Sequence, residues 1–156
     1  MEPQPTHRDP SIEKPEQAEM EAEKDFFLQD LVDQTNRFPT NKLELTLQIG
    51  GFLVSGVLIA GDEYYSLCAD LISNPGTSIH EHITSFGKHY EEEREADAKV
   101  PRTTTFIHLR DCSFFGPGNL DKLNIVWRGR ISQVDGFFFG ALELPANRKV
   151  LSSSAQ

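Results

Sequence analysis

Cysteine is scarce in this sequence, with two among 156 residues. Cys68 and Cys112 stand far apart without Cys-x-x-Cys spacing, which excludes a disulfide framework, fits a reducing compartment and reads as two small apolar thiols in a core. Long apolar runs are missing too, none approaching the roughly 18 residues that cross a bilayer. No basic region followed by an apolar stretch opens the chain, so the expectation is a soluble cytoplasmic protein with no membrane partner. Positive charge is short: 15 lysines and arginines against 24 aspartates and glutamates leave a net charge of -9 and a pI near 5.0. That field repels phosphate backbones, so nucleic acid is not an expected partner without a local basic patch. Signatures of catalysis are absent as well. There is no nucleophile elbow, P-loop, HExxH or GxGxxG run, and the five histidines fall at no helical metal spacing. His80 and His82, two apart, diverge on a helix. The expectation is a protein without catalytic residues, metal or cofactor, in which His108 lies mid-strand, faces solvent with Phe106 and Arg110, and is structural.

What the chain does contain suits one domain with tails. Residues 1–24 hold four prolines, many glutamates and few large apolar groups, too little apolar surface to offset chain entropy. They read as a disordered acidic tail, residues 25–145 as one folded domain, and residues 146–156 as a disordered C-terminal tail. Phe27, Leu28, Leu31 and Val32 predict a helix that stops before Pro39. Leu43 to Ile49 alternates apolar and polar residues, and Gly50-Gly51 turns it into a second strand, Phe52 to Ile59. Asp62 is placed to cap a helix with Tyr64, Leu67, Cys68, Leu71 and Ile72 on one stripe, ended by Asn74-Pro75-Gly76. Ser78 and Glu81 have capping-box spacing for another, whose face is Ile79, Ile83 and Phe86 and which dissolves into the charged run Glu91 to Lys99. Thr104 to Phe114 and Leu123 to Val134 read as strands around a Gly116-Pro117-Gly118-Asn119 loop, with a last strand after Asp135-Gly136. The fold class is α+β: a mainly antiparallel sheet of about five strands, twisted or barrel-like, with an N-terminal helix and a helical insertion between the strand groups.

The stretch WRGRISQVDGFFFGALEL, Trp127 to Leu144, poses the functional question. Read as a two-residue hairpin, Asp135-Gly136 sets Val134 opposite Phe137 and Gln133 opposite Phe138. One face then carries Ile125, Trp127, Ile131, Phe138, Leu142 and Leu144, with Gly129 and Gly140 leaving room for neighbours, and Phe138 belongs to the core. The other face brings Arg128 and Arg130 beside Phe137 and Phe139. Two readings of that face stand. The N-terminal helix, with Phe26, Phe27 and Leu31, buries both rings as a second small core, or the rings and guanidinium groups form an exposed patch for an acidic or aromatic partner segment.

GGFLVSGVLI (Gly50 to Ile59), FIHLRD (Phe106 to Asp111) and WRGRISQVDGFFFGAL (Trp127 to Leu142), in this order, resemble the GvpU family of gas vesicle accessory proteins over about residues 26 to 144. The last block is the most specific of the three. The resemblance implies a non-enzymatic role at the gas vesicle surface, where the protein binds the shell structural protein and regulates vesicle clustering by multivalent association, self-association or condensation included. On that reading Arg128, Arg130, Phe137 and Phe139 make the contact, while the acidic tail and Glu91 to Glu95 tune it by screened repulsion. Two alternatives are carried. One is a chaperone for shell subunits during assembly, and the other is an RNA-binding barrel of the Sm-like kind, against which the acidic charge argues.

Overall fold

A computed structural model of the chain describes residues 25–96, 104–117 and 122–142. Asp25 starts the first helix, α1 (Phe26–Arg37): its carboxylate accepts from the backbone N–H groups of Phe27 (2.9 Å) and Leu28 (3.0 Å), two donors the helix cannot satisfy itself. Pro39 follows the last turn, and Leu28 and Val32, one turn apart, face the core. Strands β1 (Leu43–Ile49) and β2 (Phe52–Ile59) form the hairpin that the alternation predicts. Helices α2 (Gly61–Asp70) and α3 (Ser78–Glu95) then pack on each other.

The helix starts differ from the sequence reading. Ala60 precedes α2, and its first N–H, from Gly61, is taken by the buried Asn36 Oδ1 of α1 at 2.9 Å. Asp62 is thereby released from capping and pairs with Arg94 of α3, whose Nε also donates to the Asn36 carbonyl at 2.7 Å. Thr77 rather than Ser78 stands at the start of α3, without a side-chain cap, because its hydroxyl donates to the Asn74 carbonyl instead. Leu71, expected on the apolar stripe, lies beyond the end of α2 and is exposed.

Strands β3 (Phe106–Phe115), β4 (Lys122–Arg130) and β5 (Gly136–Phe139) complete one five-stranded antiparallel sheet of order β4-β3-β2-β1-β5. The architecture is α+β, and the sheet is not closed into a barrel. Asp135-Gly136 does not make a β4–β5 hairpin. After Arg130 a 3-10 turn, Ile131–Gln133, drops Ile131 into the core, and the chain crosses to the free edge of β1. Asp135 locks the crossing: its N–H donates to the Gln48 carbonyl (2.9 Å) and its carboxylate accepts from the Gly50 N–H (2.8 Å). Four strand spacings separate β4 from β5, about 19 Å in a flat sheet. A five-residue link containing a 3-10 turn spans less, so the sheet curls.

This register inverts the predicted faces. Phe137 lies opposite Leu47 and Phe139 opposite Leu45, on the core face, whereas Phe138 lies opposite Thr46 on the outer face and is not a core residue. The core is built from Leu45, Leu47, Val54, Leu58, Ile107, Leu109 and Cys112 of the sheet, covered by Leu28, Val32 and Ile131. A bulge at Asp111 (φ 53°) restores the alternation, so that Ile107, Leu109 and then Cys112 all face inward. Gly129 does leave room for a neighbour, since a Cβ there would meet the Trp127 ring at 2.0 Å. Gly140 does not; its φ of 102° serves the turn in which its N–H reaches the Glu44 carbonyl. Thr46, fully buried, donates to the Gly140 carbonyl and shares a hydrogen bond with Ser55, whose Oγ accepts from the Leu142 N–H, so residues 140–142 cross the outer face of β1 and β2. The expectations for residues 1–24, 97–99, 118–119, 144 and 146–156 lie outside the described residues.

Candidate functional site

The structure separates the four predicted contact residues into two surfaces. Phe137 and Phe139 stand on the core face of β5, and Arg128 and Arg130 on the outer face of β4, the opposite edge strand.

At the first surface, α1 lies over the β5 rings. Phe27 is 6.0 Å from Phe137 and 6.3 Å from Phe139, and the latter two are 6.1 Å apart, a three-ring cluster in tilted and edge-on geometry. Phe137 is half-buried against the core, but the cover is incomplete: Phe27 and Phe139 are each 55% exposed and Phe26 is 74% exposed. The helix thus roofs Phe137 and Phe139 without sealing them, while Phe138 is exposed on the other face of the same strand.

The second surface is the outer face of β3 and β4 where α2 and α3 cover it. Here the sequence reading placed His108 correctly beside Phe106 and Arg110 but wrongly in water, because the helices bury it completely. Tyr64 (4.5 Å), Tyr65 (6.1 Å) and Tyr90 (6.0 Å) surround its ring, and neither ring nitrogen finds a hydrogen-bond partner. Burial in this aromatic box, with the positive charge of Arg128 across the strand, pulls the imidazole down to about 3, so it is neutral. Burial, a hydrogen bond and repulsion from Cys68 push the Tyr64 phenol up to about 12, and burial raises Tyr90 as well. Tyr90 comes so close because Gly61 has no Cβ, which would meet its ring at 2.3 Å.

Beside this box, Arg128 lies flat on the Phe106 ring, Cζ 3.4 Å from the centroid. A groove of about 380 Å³ opens there, lined by Tyr65, Phe86, Tyr90, Phe106 and Arg128 with Asn36, His89, Glu93, Thr104 and Thr105. His89 and Glu93 pair across one turn of α3 at 3.1 Å. Arg94 and Arg110 each find a carboxylate, Asp62 for the first, Glu63 and Asp111 for the second; no described carboxylate pairs with Arg128 or Arg130, both exposed. The sequence reading did not place Tyr65 and Tyr90 in a site, and it took Phe86 only as part of a helix face. Their signal was present as rings standing out in otherwise polar helices, with Phe86 and Tyr90 one turn apart. A larger groove of about 730 Å³ on the same outer face has walls that are mostly small or polar, among them Glu44, Ser55, Asp111 and Asn124.

Among the described residues no helix is long and apolar enough to cross a membrane, and no cluster of three metal-ligating side chains occurs. The two surfaces offer contact: an apolar aromatic cluster on one and an arginine-lined aromatic groove on the other. Comparison with known proteins matches the chain to the family model described as gas vesicle protein GvpU-like, over residues 25–142. No curated protein and no solved structure gives a match. The matched span takes in every helix and strand described above, both surfaces included, and the chain belongs to the GvpU-like family of gas vesicle proteins.

Proposed function

We propose that this protein is a non-enzymatic gas vesicle accessory protein that binds the vesicle shell and draws vesicles into clusters. The observation that carries the reading is the separation of two surfaces, exposed phenylalanines at one edge of the sheet and, on the outer face at the other, arginines without a partner among the described carboxylates. A domain with one such surface coats a shell. A domain with two that look in different directions bridges, either shell to shell or through a second copy of itself. Because a shell repeats one subunit, each contact need only be weak; simultaneous engagement multiplies affinity by about 100-fold or more.

Flotation tests this. Purified vesicles mixed with the protein at low and high salt are floated, and the layer is assayed for bound protein and clumping. Bound protein with clumping supports the proposal, and the part lost at high salt belongs to the arginine surface. Protein that stays in the subphase sinks it; if that protein instead captures unassembled shell subunits, the exposed aromatic end is serving a chaperone.

A further inference from the structure

We infer that the free edge of β4 takes up an extended acidic peptide as a sixth strand, two of whose carboxylates seat on Arg128 and Arg130. Among the described residues β4 pairs only with β3; beyond the left-handed Asn124 (φ 48°) its regular run, 125–130, leaves the backbone N–H and C=O groups of its other side for strand addition over about six residues. Arg128 and Arg130 are two residues apart and share the outer face, about 6.8 Å along the strand. A neighbouring strand repeats its own side chains at the same interval, so carboxylates at alternate positions fall opposite both arginines.

The arginines are prepared for this. Stacking on Phe106 holds the Arg128 guanidinium flat and leaves its N–H edge for an in-plane, bidentate carboxylate. In a chain of net charge -9, two exposed arginines without a described carboxylate partner stand out, since Arg94 and Arg110 are both paired. The groove beneath adds Tyr65 and Phe86 as rings for an apolar side chain on the same face of the incoming strand. A nucleic acid backbone would meet the same two arginines but also the whole acidic surface, and it cannot complete a sheet. An acidic peptide does the second and carries less charge into the first.

The site is independent of the shell reading: it specifies the chemistry of a segment, whichever protein displays it. The test uses the full chain and a capped nine-residue peptide with glutamate at alternate positions, valine between and phenylalanine at one end, against a counterpart with lysine for glutamate. Trp127, the single tryptophan, lies on β4 and reports by its emission. The expected result is a saturable response to the glutamate peptide alone, slowed amide hydrogen exchange on the outward side of β4, and about ten-fold weaker binding for Arg128→Ala with Arg130→Ala. Equal responses to both peptides, no saturation, or protection at β5 instead of β4 would overturn the inference. Both arginines are exposed, so the variant keeps its fold, checked by circular dichroism. Peptide binding by a protein that fails to float with vesicles supports this inference and sinks the shell reading.

Discussion

Arg128 and Phe137 sit on opposite faces of one sheet, on its two edge strands. Nothing therefore lets them act as one patch, and their energetic effects on binding should be independent. The pair Arg128→Ala with Arg130→Ala and the pair Phe27→Ser with Phe139→Ser should each leave vesicles coated but unclumped, and all four together should abolish coating. Flotation with light scattering reads both quantities, and a cycle built from the two pairs should be additive within about 0.5 kcal/mol.

The three phenylalanines of β5 should not weigh alike in stability. Phe137 is packed against the core, so Phe137→Ala should cost about 2–3 kcal/mol, whereas Phe139→Ala, at a 55% exposed ring, should cost under about 1 kcal/mol. Urea denaturation of the two variants distinguishes them. Equal losses would mean that the helix α1 roof is tighter than the exposures imply.

Acid should unfold the protein through His108. Its native pKa of about 3 lies below the ordinary histidine value of 6.5, so the unfolded chain takes up the proton first. The stability this neutral ring allows is complete above about pH 6.5 and falls as pH drops towards 3, by about 1.4 kcal/mol per unit. The groups facing the ring are Tyr64 and Tyr65 of α2, Tyr90 of α3 and Arg128 of β4, none of which supplies a counter-charge. His108→Phe should flatten the acid limb of the stability profile and leave stability at pH 7 unchanged or raised, since it removes two buried nitrogens without partners. A histidine-to-phenylalanine profile as steep as the original would place the acid sensitivity elsewhere.

Of the two thiols, one should react. Burial and the neighbouring Asp111 push Cys112 up to about 12 and leave it inert, while Cys68 is partly exposed on α2. A thiol reagent under native conditions should label one cysteine per chain, at Cys68, and two in denaturant, as counted by mass spectrometry.

The legible parts of the fold were those decided locally. Alternation gave the β1–β2 hairpin, period gave α1, and Pro39 marked where that helix ends, whereas α2 stops at Asp70, short of Pro75. What escaped was decided at long range. Asp135-Gly136 carries a strong hairpin signal, yet the free edge of β1, the Gly50 amide and a core vacancy for Ile131 outcompete it. One misassigned turn exchanged Phe138 with its two neighbours, because a strand's faces alternate with every residue. The groove was illegible for a related reason: Tyr65 and Tyr90 meet only when α2 and α3 fold over β3, which no periodicity encodes.

The clamp between Thr46 and Gly140 joins positions 94 apart, and this fixes an order of events during synthesis. The outer edge of β1 leaves the ribosome long before β5 exists to cover it, by roughly 5–20 s at ordinary elongation rates. For that interval β2 is the only strand paired with β1, and α1, made before either, is the first element able to cover Leu45 and Leu47, so the helix that roofs the finished domain is also the first guard of its core against a stray strand.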